Sequence, residues 1–289
     1  MCLTRGAPLS WTLILSSIRP SDHVFTGVYE TETNSGKNIG QVHQSQNMTS
    51  AYLSFLLMAD ESDPRDMVPL LEGLIVQAGQ WGAKQVVADL GIDSQWFPCF
   101  RQAGFSVLAK QRVYKCDLSP GDQTTLKGTW RLWNCDDIPA MRALYYTLVP
   151  PLIQPIEPLT RREMLGLVYY DESGTLQAYA DLVYGPVGVW VWPLFHPQTK
   201  ESFTDIIAQM LFDLPAHNSK PVYVAARSYQ PWVEHALEAL SSEPGPEQAL
   251  MVRYLALRQR YKPEFSFAQM DNGKAEPTIP LAPIKNHHE

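Results

Sequence analysis

The sequence predicts an α/β fold (an α+β mixed sheet) built as two tandem, related domains, the first truncated at its N-terminus. Three observations carry this. A constant offset of 136 residues maps Lys84-Gln85-Val86-Val87-Ala88-Asp89 onto Lys220-Pro221-Val222-Tyr223-Val224-Ala225, Trp96 onto Trp232, and Leu70-Leu71 onto Ile206-Ile207. Both copies alternate apolar runs rich in β-branched or aromatic residues with segments of helical periodicity. Each copy is preceded by two short strands around a polar turn containing glycine, which supplies the positive φ of tight hairpins.

In order, the first domain (1–117) begins with the hairpin Val28-Tyr29-Glu30, a turn at Asn34-Ser35-Gly36-Lys37, and Ile39-Gly40-Gln41-Val42. An apolar strand follows at Ala51–Met58, aligned by the offset with the second copy's strand at Val187–Trp192. Met67, Leu70, Leu71, Leu74 and Ile75 recur at the spacing of one helix face. Val86-Val87-Ala88 reads as a buried strand, a short helix begins near Trp96, and Val113-Tyr114 lies in the last strand. Residues 118–128 are Pro/Gly-containing and polar, a linker.

The second domain (129–260) opens on the strand Trp130-Arg131-Leu132-Trp133. Asp136 or Asp137 caps a helix from Ile138 to about Leu148 that Pro150-Pro151 stops. A hairpin turns at Asp171-Glu172-Ser173-Gly174 between Leu167–Tyr170 and Leu176–Tyr184. Then come the strand through Trp190 and Trp192, a helix with Phe203, Ile206, Ile207, Met210 and Leu211 inward, the strand Val222-Tyr223-Val224, a helix near Trp232, and a final strand at Val252-Arg253-Tyr254. Residues 261–289 contain four prolines and no apolar periodicity, the pattern of a disordered tail.

Composition narrows the function. A net charge of −7 with no basic stripe opposes nucleic-acid binding. Cysteines 2, 99, 116 and 135 form no CxxC pair, and no histidines stand at ligand spacing, so neither zinc nor a disulfide framework is expected. Free thiols suit a reducing cytoplasm. The one N-terminal apolar run, Leu9–Leu15, is too short for a membrane span or a signal peptide, so no membrane partner is expected.

The element order strand, strand, strand, helix, strand, helix, strand, with Arg101-Gln102-Ala103-Gly104-Phe105 closing the second helix, resembles the GNAT superfamily of acyl-coenzyme A transferases. The resemblance implies acetyl-CoA as cofactor and a small-molecule or peptide amine as acceptor, attacked directly without a covalent enzyme intermediate. The pyrophosphate would sit at the start of the central helix, where first-turn amides lack intrahelical partners and the dipole favours an anion. At that turn the first copy has Ser62, Asp63, Pro64, Arg65, Asp66, Met67, without glycine and with two carboxylates. The second has Gln198, Thr199, Lys200, Glu201, Ser202, Phe203, so Gln198, Thr199, Lys200 and Ser202 are the cofactor candidates, with Leu194 and Phe195 on the preceding strand. The family's thiolate-protonating tyrosine falls on Phe100 in the first copy. In the second it falls on Ala236, leaving neighbouring His235 and Tyr229 as substitutes. Asp181 is a candidate base, and Glu157 and Tyr184 are candidate substrate-side groups. A non-catalytic binding or scaffold protein that kept this fold and lost the cofactor is the alternative.

Overall fold

The computed structural model describes residues 23–30, 37–46, 48–58, 64–116, 128–159, 165–214 and 220–255. The apolar runs become strands β1 (His23–Glu30), β2 (Lys37–Gln44), β3 (Ser50–Leu57), β4 (Gln85–Gly91) and β5 (Ser106–Cys116), with helices α1 (Met67–Gln80) and α2 (Phe97–Gln102). The second half adds β6 (Thr129–Leu132), α3 (Ile138–Leu148), β7 (Gly166–Tyr170), β8 (Leu176–Tyr184), β9 (Val189–Phe195), α4 (Phe203–Asp213), β10 (Val222–Arg227), α5 (Pro231–Ala239), β11 (Glu243–Pro244) and β12 (Gln248–Tyr254). The linker at 118–127, the tail at 261–289, the turn residues Asn34–Gly36, the run Leu9–Leu15, and Ser62 and Asp63 lie outside the described residues.

All strands join one sheet in the order β1-β2-β3-β4-β12-β5-β10-β9-β8-β7-β6, with β11 on β5. The two halves exchange their last strands. β12 of the second half lies between β4 and β5 of the first, antiparallel to both, while β5 of the first half pairs antiparallel with β10 of the second. Among the described residues only β3–β4 and β9–β10 are parallel, as the intervening crossover helices require.

The ladders refine the repeat. Ala51 faces Val86 and Val189 faces Val222, so β3 and β9 correspond at an offset of 138 rather than 136. Val189 is therefore the partner of Ala51, and the expected match of Ala51 to Val187 is corrected by two residues. Helices α1 and α4 still begin at Met67 and Phe203, because the second connection is two residues shorter.

Side-chain alternation gives each strand two faces. On one face α1 and α2 cover the first half, burying Met67, Leu71, Leu74, Val86, Phe100, Phe105 and Met251. On the same face α4 and α5 cover the second half, burying Tyr114, Val191, Phe195, Ile206, Ile207, Val224 and Leu237. The opposite face is covered by α3 and the turn after it, and that core spans both halves: Met141, Tyr145 and Ile153 share it with Val87, Ala109, Leu250 and Val252. The turn is also bonded to the first half, with Ser50 Oγ donating to the Pro155 carbonyl (3.1 Å) and Tyr52 Oη to that of Ile156.

The start of α3 differs in detail from expectation. Asp137 stands at the N-cap of α3, as expected, but its side chain makes no cap bond to that helix; instead Asn134 and Asp137 form a reciprocal capping box over the preceding 3-10 turn. Asp137 then accepts from both Nη atoms of Arg131 (2.7 and 2.6 Å) and from Tyr170 Oη (2.6 Å), and the guanidinium holds its carboxyl well below the usual carboxylate range.

Helix α2 ends on Gly104 at φ +80°, with Gly104 N–H donating to Arg101 and Phe105 N–H to Phe100. In the second half Ser241 takes φ +54° and repeats the pattern, Ser241 N–H donating to Glu238 and Ser242 N–H to Leu237. The left-handed cap survives there on a residue that fits it poorly. Ser241→Gly is expected to raise stability by about 1 kcal/mol, read as a higher urea midpoint at unchanged slope.

Candidate functional site

Strands β9 and β10 pair over Val189–Val222, Trp190–Tyr223 and Val191–Val224, and then part. Odd-numbered residues of β9 turn their backbone groups toward β10, as Val189 N–H does in donating to the Pro221 carbonyl at 3.0 Å. Beyond Val191 the next donor in that row would be residue 193, a proline without an N–H, so the ladder stops. Parting the strands would leave the Pro193 carbonyl and the Phe195 N–H without partners in the interior. One side chain satisfies both. Gln230 Oε1 accepts from Phe195 N–H at 2.9 Å and Gln230 Nε2 donates to the Pro193 carbonyl at 3.0 Å. Gln230 stands at the N-cap of α5 and is 1% exposed. Its backbone is held by a turn, with Gln230 N–H on the Arg227 carbonyl (2.8 Å) and Val233 N–H on its own carbonyl (3.1 Å).

On the α3 face of this gap lie Asp181, Tyr179, Trp192, Leu194, Tyr145 and Leu159, enclosing a void of about 10 Å³, room for one water at most. Beside them Arg227, at the end of β10, is buried in an ion pair with Glu157, has Asp89 Oδ1 of β4 at 3.7 Å, and lies over the Trp192 ring at 5.7 Å. Burial works against the guanidinium's charge, but Glu157 and Asp89 outweigh it and its pKa ends above the ordinary value. The Tyr229 hydroxyl is enclosed, and burial followed by the Glu157 carboxylate pushes its pKa up.

On the other face a groove of about 410 Å³ runs between the head of α4 and α5, lined by Glu201, Ser202, Phe203, Thr204, Trp232 and His235. Its floor is aromatic: the Phe203 and Trp232 rings lie 6.3 Å apart. Ser202 caps α4, its Oγ accepting from Asp205 N–H at 3.5 Å. Tyr169 Oη donates to the Glu201 carboxylate, and burial followed by that bond raises the phenol's pKa.

Compared with known proteins, no family model and no curated protein matches the sequence. Solved structures do match. A tandem GNAT protein from the clavulanic acid biosynthesis pathway is 13% identical, with 88% of this chain and 90% of that chain covered and a TM-score of 0.54. A GCN5-related N-acetyltransferase from Sphaerobacter thermophilus is 11% identical, with 85% of each chain covered and a TM-score of 0.55. One from Kribbella flavida is 13% identical, with 88% of this chain and 98% of that chain covered and a TM-score of 0.51. The chain has the tandem GNAT fold.

Within this fold the sequence candidates fall on both sides of the sheet. Asp181 and Tyr229 are on the α3 face with Trp192, whereas His235 and Ser202 share the groove on the other face. Gln198 and Lys200 are exposed and Thr199 half-buried on the turn before α4, which His196 shapes by accepting Gln198 N–H at Nδ1 (3.3 Å) and Thr199 N–H at its carbonyl (3.2 Å). Leu194 and Phe195 are in the core, 4% and 0% exposed. Tyr184 packs at the edge of the α4–α5 core.

These residues do not fit acetyl-CoA. The head of α4 carries the carboxylates of Glu201 and Asp205, whose negative charge opposes a pyrophosphate there. The Phe195 N–H, on the edge of β9 that faces the gap, already bonds Gln230. In the first half Met67, at the matching helix head, and Phe100, where the family's tyrosine would fall, are buried, 0% and 2% exposed. Gln230 and the Arg227–Asp89 contact escaped the sequence reading. The one legible signal was Pro193 inside an apolar strand, which marks a ladder that must end.

Proposed function

We propose that this protein works by binding rather than by acyl transfer: a non-catalytic tandem GNAT-fold protein that takes a small-molecule or peptide amine in the groove between α4 and α5. The observation that carries this reading is the Glu201 carboxylate, held by Tyr169 at the helix head where a pyrophosphate would have to lie. A carboxylate beside two aromatic rings suits a cationic amine and repels a phosphate. Cys99, Cys116 and Cys135 are in no disulfide, which agrees with a cytoplasmic setting, and among the described residues no helix is long and apolar enough to cross a membrane.

A ligand that binds only the native state must stabilise it by RT ln(1 + [L]/Kd), about 2.7 kcal/mol at a hundredfold excess over Kd. Millimolar acetyl-CoA is therefore expected to leave the melting temperature unchanged; a rise of several degrees would overturn the reading. A second reading, acyl-CoA-dependent N-acyl transfer in the second half, is favoured by one observation, the capped head of α4 with Thr199, Lys200 and Ser202 around it. On that reading His235 would serve from the groove, Asp181 and Tyr229 from the α3 face, and Lys200→Ala would weaken acetyl-CoA binding at least about tenfold. Unchanged binding in that variant would place the cofactor elsewhere.

A further inference from the structure

Gln230 stands at the N-cap of α5, but its side chain caps nothing there and bonds β9 instead. The Pro193 carbonyl and Phe195 N–H, two residues apart on one edge of β9, form the acceptor–donor pair that a strand edge offers to the N–H and C=O of one residue of a neighbouring extended chain. A primary carboxamide presents the complementary pair, one C=O and one N–H, and Gln230 supplies it from within the chain. We infer that the gap between β9 and β10 is an amide-recognition slot whose permanent occupant is the Gln230 side chain. The ligand class it excludes is an extended chain of secondary amides, of which the pantetheine arm of coenzyme A is one.

The placement follows from three features. Pro193 ends the ladder and opens the gap. The turn from Arg227 to Gln230 fixes the backbone from which the side chain enters. The surrounding residues Phe195, Val233 and Leu237, each 0% exposed, seal the carboxamide from solvent. Because both amide groups of Gln230 are bonded, an incoming ligand must displace two hydrogen bonds that water cannot replace there. The slot is therefore closed independently of the charge at the head of α4. This inference rests on the closed cofactor site proposed above but concerns the arm rather than the pyrophosphate, so the two can fail separately.

The test uses the full chain and pantetheine, which carries the amides and no phosphate. In the unsubstituted protein the Phe195 amide should exchange as slowly as its strand neighbours, and its resonance should ignore pantetheine. In Gln230→Gly the same amide should exchange at least about tenfold faster, the factor one net hydrogen bond is worth. Its resonance should then shift on adding pantetheine, with an affinity at least about tenfold above that of the unsubstituted chain. Gln230→Asn, one methylene shorter, should respond in the same direction and serves if the glycine variant does not fold. A folded variant whose Phe195 amide is indifferent to pantetheine would overturn the inference, as would equal binding by the unsubstituted chain. Rapid Phe195 exchange in the unsubstituted chain overturns it even if neither variant folds, and slow exchange there upholds the occupied slot. Acetyl-CoA stabilising the unsubstituted protein while its Phe195 resonance stays unmoved would sink the functional reading and leave this one standing.

Discussion

Ending the chain after Glu247, which removes β12, is expected to abolish the native fold of both halves, whereas ending it after Leu257 is expected to preserve it. Among the described residues β12 is the only strand joining β4 to β5, and it carries Leu250, Met251 and Val252, each at most 1% exposed. Burying three such side chains is worth roughly 5–9 kcal/mol, against a total stability of about 5–15 kcal/mol for a typical domain. Losing the strand also strips the backbone partners from β4 and from one edge of β5. The shorter chain should lose its cooperative unfolding transition in circular dichroism. A transition of half the normal amplitude, with the first half still folded, would show that the exchanged strand is dispensable. For the same reason, segments 1–122 and 123–289 expressed apart should be insoluble, and expressed together should assemble.

Arg227→Met should be the most damaging single substitution among the described residues of the second half, costing about 3–5 kcal/mol, because it leaves Glu157 charged and buried without its cation. Glu157→Leu alone should also be costly, because it leaves the buried Arg227 only its longer contact to the half-exposed Asp89. Arg227→Met combined with Glu157→Leu should recover most of the loss, since an apolar pair of similar volume replaces the ion pair and its desolvation together. Urea midpoints for the two single variants and the double variant form a cycle that measures the coupling. Additive losses would mean that the pair is not coupled. Asp89, on the first half, makes the effect reach across the molecule: Asp89→Asn should destabilise by less, because its side chain is 47% exposed and its contact longer.

Much of the fold was legible because local pattern determines local structure. Helix α3 runs from Ile138 to Leu148, as the periodicity and the Pro150-Pro151 stop require, and the repeat placed α1 and α4 in register. Strand partners were not legible. Val252-Arg253-Tyr254 announces a strand, but nothing in its alternation says that it lies in the other half's sheet, since a strand edge accepts any partner whose faces match. The second copy has Ser241 where the first has Gly104, yet the backbone there adopts the same left-handed cap. At the candidate site, Lys200 and Ser202 stand where counting put them, but the count could not show that Tyr169, a core residue of β7, reaches Glu201. Gln230 was unreadable for a related reason. A glutamine before Pro231 looks like an ordinary helix start, and its role appears only when Pro193 has opened the gap it enters.

The exchanged strand also sets a clock on synthesis. Cys116, the end of β5, leaves the ribosome 132 residues before Gln248, the start of β12. At roughly 5–20 residues per second, β4 and β5 wait roughly 7–26 s for the strand that joins them. Through that interval the nascent first half exposes two unpaired, largely apolar strand edges, the condition under which chains cross-pair with one another. Yield in cells should therefore respond more to translation speed and chaperone supply than to equilibrium stability, and slow-codon placement between residues 117 and 247 should be poorly tolerated.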